Sequence, residues 1–258
     1  MKIFVLVKEV PDTYGDRKLN LETGLADRAA GDVVLDEITE RALEVALSYA
    51  DKNDGTEVVA VSMAPEGSTA SLRRALAIGA GSAVHIADEQ LAGADLGLTA
   101  EVLAAAIHRG APDLVITGNL STDGSGGVIP AMIAEHLGFA QVTALSAVEI
   151  TADGVSGVRG ADAGSQPVSA PLPAVISITE ALPDARFPNF KGIMAAKKKP
   201  LEVLSLADLD VSADPSAAPR TIMTTVSEKP PRAVGVKITD EGDAADKLVD
   251  YLVQNRLV

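Results

Sequence analysis

Residues 113–138 read DLVITGNLSTDGSGGVIPAMIAEHLG. Asp113–Gly118 is a short apolar run rich in β-branched residues, the pattern of a strand covered on both faces in a parallel sheet. Ala131–Leu137 carries helical spacing, and Gly138 closes it. Between them lies Ser121-Thr122-Asp123-Gly124-Ser125-Gly126-Gly127, a turn placed just past the carboxyl end of a strand, where open α/β sheets bind their ligands. Gly124, Gly126 and Gly127 let backbone N–H groups approach an anion closely. Ser121, Thr122 and Ser125 offer hydroxyls, and the helix that follows points its positive end at the same place. A nucleotide phosphate is the natural occupant. The alternative is a solvent-exposed turn that only connects strand to helix.

The same alternation runs outward toward the N-terminus. Ile3–Val7, Glu57–Ser62 and Ala83–Ile86 read as strands. Helices are expected at Asp36–Ala50, with Ile38, Ala42, Leu43, Ala46 and Leu47 on one face, at Ser68–Ala80, and at Asp95–Arg109 before Gly110 and Pro112. Asp36 is placed to cap the first, with Glu37 and Glu40 in its first turn, so these carboxylates need no catalytic role. Four strands alternating with helices imply a doubly wound parallel sheet with right-handed crossovers. Past residue 140 the pattern changes: Ser146–Thr151, Val155–Arg159 and Ala174–Thr179 read as short strands of a meander. Ser212–Arg232 is rich in Ala, Pro, Ser and Thr, a linker or extended arm, and residues 239–256 form a terminal helix.

Composition narrows the function. The 258 residues suit one large or two small domains. Aromatics supply 3% of the chain, so the core must be aliphatic. A net charge of −14 repels nucleic acid and anionic membrane surfaces. The absence of cysteine excludes disulfides, cysteine-ligated iron–sulfur clusters, thiolate zinc sites and cysteine nucleophiles. The opening MKIFVLVKEVPD holds an apolar run too short for a signal peptide or a membrane span, so no membrane insertion and a cytoplasmic location are expected. No Walker loop occurs, nor a G-x-G-x-x-G after the first strand. Ser125-Gly126-Gly127 shares its letters with the SGG of ATP pyrophosphatases. That motif follows the first strand and continues with Asp and Ser, whereas Val128 and Ile129 follow here, so an adenylylating enzyme is unsupported. His85, His108 and His136 match no metal spacing and read as surface or edge residues. Lys197-Lys198-Lys199 reads as a solvated face. Phe187–Met194 (FPNFKGIM) holds two of the four phenylalanines in a segment without periodicity. It is either a protein-docking anchor or a loop that packs Phe190 back on its own domain.

Four stretches taken together, FVLVKEVPD, GNLSTDGSGGVIPAMIAEHLG, LPAVISITE and RFPNFKGIMAAKKKPLEVL, resemble the β subunit of electron transfer flavoprotein in order and spacing over most of the chain. The resemblance implies an α/β fold with a doubly wound, mostly parallel sheet of the adenine-nucleotide-binding type. A small β extension and a C-terminal arm go with it. Residues 1–211 then form the nucleotide-binding domain, with a recognition loop at 184–200, and 212–258 form the linker and an arm contacting the α subunit. It implies that the redox-active FAD belongs mainly to an α subunit, while this chain binds AMP in a structural, non-catalytic role. By position the AMP contacts fall on Leu6, Asp36, Met63, Ser121, Thr122, Asp123, Gly124, Ser125, Gly126, Gly127, Val128 and Met132. The family often has Asn at the position of Asp36 and a small residue at that of Met63.

Phe190 matches the anchor with which the family docks on acyl-CoA dehydrogenases, where Leu is common; burying it is worth about 2 kcal/mol. Electrons from fatty acid oxidation and related dehydrogenases would leave to a membrane quinone oxidoreductase. An acid that commonly follows the matching arginine is replaced by Gly160 in Arg159-Gly160-Ala161-Asp162-Ala163-Gly164, so the resemblance leaves open a subunit-interface ion pair there. Two other readings stay open: an electron-bifurcating complex in which this chain holds a second FAD in place of AMP and oxidises NADH, and a stand-alone adenine-nucleotide sensor or hydrolase.

Overall fold

A computed structural model describes residues 1–15, 17–214, 216 and 220–258. In chain order it contains β1 (Lys2–Leu6), β2 (Glu9–Pro11), β3 (Val33–Leu35), α1 (Glu37–Ala50), β4 (Glu57–Met63), α2 (Thr69–Ile78), β5 (Ser82–Ile86), α3 (Leu96–Gly110), β6 (Leu114–Gly118) and α4 (Ile129–Leu137). There follow β7 (Ala140–Ile150), β8 (Gly154–Ala161), β9 (Gly164–Pro171), β10 (Ala174–Ile178), α5 (Phe190–Ala196), β11 (Leu201–Leu204), α6 (Leu206–Leu209) and α7 (Ala244–Gln254). A nine-stranded sheet has the order β11-β5-β4-β1-β6-β10-β7-β8-β9. All pairs from β11 to β7 are parallel, and β8 and β9 extend the sheet as antiparallel strands.

Side-chain alternation along the parallel strands builds two cores. Ile3, Val5, Leu114, Ile116, Ala174 and Ile176 face α1 and α2, whereas Phe4, Leu6, Val115 and Val175 face α3 and α4. Both faces are therefore dry, which is why these strands read as unbroken apolar runs. Gly110 closes α3 directly over the ring of Phe4; a Cβ there would lie 2.1 Å from it.

The region after residue 140 is not a simple meander. β10 returns to the centre of the sheet, parallel between β6 and β7, and each of its five residues is buried. Only β7, β8 and β9 form the antiparallel meander. A wholly apolar strand suits a doubly covered interior position, and sequence order does not fix order in the sheet. The edge strand β9 was not expected, because GSQPVSAP is polar and broken by two prolines, features that edge strands tolerate. His85 is also not a surface residue: it is 1% exposed, and its Nε2 hydrogen-bonds the Ala64 carbonyl at 3.0 Å.

The chain divides into two compact units, Met1–Thr224 and Thr225–Val258, at a point within the Ala/Pro/Ser/Thr-rich stretch. Pro215 and residues 217–219 of that stretch lie outside the described residues. The second unit carries α7, shorter than the helix expected over 239–256, with Leu248, Val249, Tyr251 and Val253 exposed. No helix among the described residues is long and apolar enough to cross a membrane.

Candidate functional site

β1 has β4 on one side, reached through α1, and β6 on the other, reached through α3. The crossovers diverge at this point, the place where open α/β sheets form a crevice at the carboxyl ends of their strands. Leu6 ends β1, Met63 ends the adjacent β4, and Gly118 ends β6 and starts the loop to Val128, the N-cap of α4. The topology thus gathers the expected contacts Leu6, Met63 and Ser121–Val128 along one sheet edge, with Met132 one turn into α4. Gly124–Val128 are exposed, so this chain covers the crevice from one side.

Asp36 sits at the N-terminus of α1, where sequence spacing assigns it a capping role. Its side chain makes no cap bond. Oδ2 instead accepts from the Thr122 N–H at 2.9 Å, joining α1 to the glycine-rich loop. Asp36 is 1% exposed, and burial pushes its carboxyl above the usual range against the smaller opposing effect of the Thr122 N–H. Its other oxygen, Oδ1, and the Thr122 hydroxyl oxygen are both buried with no hydrogen-bond partner. Leaving a buried polar atom unmade costs about 1–3 kcal/mol. Two such atoms on bonded neighbours fit a ligand that brings hydrogen-bonding groups of its own, as a ribose does.

Cations surround the loop that follows. Lys8 Nζ donates to Asp123 Oδ1 at 2.7 Å and to Ser121 Oγ at 3.2 Å. Arg28 lies 3.6 Å from Asp123 Oδ2 and also donates to the Glu9 carbonyl at 3.1 Å, while Arg17 donates to the Thr122 carbonyl. Burial alone would raise the Asp123 carboxyl, but hydrogen bonds from Lys8, Ser121 and the Gly124 N–H outweigh it and hold the group below its ordinary value. Sequence reasoning missed Lys8, Arg17 and Arg28. Lys8, two residues past the end of β1, occupies a strand-end position that could have marked it. The arginines lie in the excursion between β2 and β3, and no local pattern aims them at residue 123.

Glycine is needed at different points for different reasons. Gly127 has φ +67°, which only glycine adopts freely. Gly126 has no such constraint, and a Cβ there would meet only Leu96 at 3.6 Å. The fold itself does not demand glycine at 126.

Residues 23–209 match the family described as the electron transfer flavoprotein domain. The electron transfer flavoprotein subunit beta of Mycobacterium leprae is 44% identical, with 99% of each chain covered. The chain belongs to the electron transfer flavoprotein family, as a β subunit. The subunit beta of Syntrophomonas wolfei is 32% identical over 98% of this chain and 96% of its own. A subunit of the caffeyl-CoA reductase–Etf complex of Acetobacterium woodii, CarD, is 30% identical over the whole of both. Membership as a β subunit implies an α-subunit partner.

The segment expected as a recognition loop holds a short helix. Phe190 begins α5, capped by Asn189, whose Oδ1 accepts from the Gly192 N–H at 2.8 Å. Phe190 is 80% exposed and Phe187 89% exposed, so neither packs back on the domain. Lys199 is not on a solvated face: its ammonium donates to the Leu76 and Ala80 carbonyls at 2.8 and 2.6 Å, closing the end of α2, while Lys197 and Lys198 remain exposed. On β8, Arg159 donates from Nε to the Thr143 carbonyl of β7 at 2.8 Å. Gly160 beside it meets nothing within 4 Å of a Cβ position.

Proposed function

We propose that this β subunit is a non-catalytic electron-carrier subunit that binds AMP in the crevice between β1 and β6. The observation that carries the reading is the pair of unpartnered buried atoms, Asp36 Oδ1 and Thr122 Oγ1, beside the glycine-rich loop at the sheet's switch point. The loop residues Ser121–Gly127 would hold the phosphate through backbone N–H groups, with Lys8, Arg17 and Arg28 balancing its charge. Asp36 and Thr122 would take the ribose hydroxyls, and Leu6, Met63, Val128 and Met132 would line the apolar remainder. FAD, held mainly by the α subunit, supplies the electron storage. This chain's part is to help enclose that flavin and to dock, through Phe190, on acyl-CoA or related dehydrogenases that feed a quinone oxidoreductase. The C-terminal unit would serve as the arm on the α subunit.

Gly126→Val tests the crevice. The side chain has room against Leu96, so the heterodimer should assemble with its flavin and lose its AMP. Full retention of AMP by this variant would remove the phosphate role from the loop.

A further inference from the structure

The Phe187–Met194 segment holds its shape without a core of its own. A seven-residue helix with glycine at its third position is far below the length at which an isolated helix persists. Among the α5 residues only Ala196 is buried, and Ile193 and Met194 stand half in water beside the two phenylalanines. Beside the close packing on α2, the ordering comes from polar ties. Arg186 forms the densest set: Nε donates to Glu44 Oε2 at 2.8 Å and Nη2 to Glu44 Oε1 at 2.8 Å, a bidentate pair. The Arg186 backbone N–H adds a third bond to Glu44 Oε2 at 3.0 Å, and Nη2 reaches Asp51 Oδ2 at 2.8 Å. Upstream, Arg41 pairs with Asp184 and donates to the Leu182 carbonyl. Downstream, Arg73 donates to the Ala196 and Lys199 carbonyls at 2.7 and 2.9 Å. Gly192 lets α5 lie directly on α2, since a Cβ there would be 2.5 Å from the Ala77 carbonyl oxygen.

We infer that Arg186, fixed to α1 by Glu44 and Asp51, is a positioning residue that keeps Phe187 and Phe190 displayed in one geometry before any partner arrives. The inference rests on the docking reading above. Arg186 is 37% exposed and Glu44 14% exposed, and this half-buried four-bond network serves a segment in which only Ala196 of α5 is buried, so it acts on the geometry of that segment. A segment ordered in advance does not have to be ordered during docking. The surface it presents has a stated chemistry: two aromatic rings flanked by the exposed Lys191, Lys197 and Lys198, in a chain of net charge −14. It fits an apolar pocket with an acidic rim on a flavin dehydrogenase.

The test is steady-state electron transfer from a purified acyl-CoA dehydrogenase to the α/β heterodimer, varying the heterodimer, with wild type, Arg186→Ala, Arg186→Lys and Phe190→Ala compared. Loss of preorganisation should raise KM for Arg186→Ala about tenfold, with kcat within about twofold, while hydrogen exchange across 183–195 speeds up. Arg186→Lys, which keeps the charge and loses the fork, should fall between. If Phe190→Ala raises KM and Arg186→Ala does not, the positioning role is refuted and the docking reading stands. If neither raises KM, the docking reading fails and takes this inference with it. A fall in kcat and flavin content for Arg186→Ala without a rise in KM would mark the network as structural and also refute the positioning role. Should Arg186→Ala not assemble, Glu44→Gln, which retains one acceptor oxygen, replaces it with the same criteria.

Discussion

The crevice between β1 and β6 and the α5 segment are both bound in place by cations, yet they leave opposite things undone. In the crevice two buried polar atoms, on Asp36 and Thr122, lack partners. In the α5 segment Arg186, Asn189 and Gly192 have their polar partners, and two phenylalanines stand in water. What a region leaves unsatisfied indicates what it is built to meet. Unpaired buried polar atoms beside a glycine-rich turn call for a small polar ligand, and exposed rings on a rigid mount call for another protein surface.

The largest expected effect breaks the second half of this comparison. Phe190→Ala should raise KM for the dehydrogenase about thirtyfold, the equivalent of roughly 2 kcal/mol, without altering AMP or FAD content. Loss of nucleotide in that variant would mean that the two regions are not separate. Lys8→Met is the counterpart in the crevice. It removes the short bond to Asp123, whose side chain is 13% exposed, and should cost about 1–3 kcal/mol in chemical denaturation together with bound AMP. Unchanged KM for the dehydrogenase is expected.

Smaller effects sharpen the contrast through pH. The folded Asp36 carboxyl titrates above its unfolded value, so its contribution to stability is full below the ordinary carboxylate range and is lost as pH rises through the folded pKa. Asp36→Asn, which keeps an oxygen for the Thr122 N–H, should therefore stabilise the apoprotein at pH 7, the gain shrinking as pH falls into the ordinary carboxylate range. A destabilised variant at pH 7 would contradict the burial account. Glu44 goes the other way. Burial raises its carboxyl, but the bonds from Arg186 prevail and hold it below its ordinary value. Its contribution is present at neutral pH and lost as pH falls through the folded pKa, below the usual range. Hydrogen exchange at 183–195 should accelerate in that acid window in wild type, and Arg186→Ala should show fast exchange throughout.

The sequence carried the crossovers well, because β1, β4, β5 and β6 are buried on both faces and each is followed by a helix with a clear stripe. It carried the glycine-rich turn for the same reason: a turn after a buried strand has a known place in such sheets. Ala174–Thr179 reads as a strand but its neighbours are not legible, since pairing with β6 and β7 is decided by contacts distant in sequence. Asp36 is the N-cap residue its spacing implies, because capping position is local, but its side chain accepts from the Thr122 N–H and makes no cap bond. α5 was invisible to periodicity: its helix is made by Asn189, Gly192 and remote arginines, not by an apolar stripe.

The most direct test of the central claim is nucleotide content. The β subunit is co-expressed with its α subunit, bound ligands are released with acid, and AMP and FAD are separated and quantified by chromatography. One AMP and one FAD per heterodimer are expected. Two FAD and no AMP would contradict the AMP reading, placing a second flavin in the crevice and an NADH-oxidising role in this chain, and one FAD with no second nucleotide would leave Asp36 and Thr122 without the ligand the crevice is built to hold.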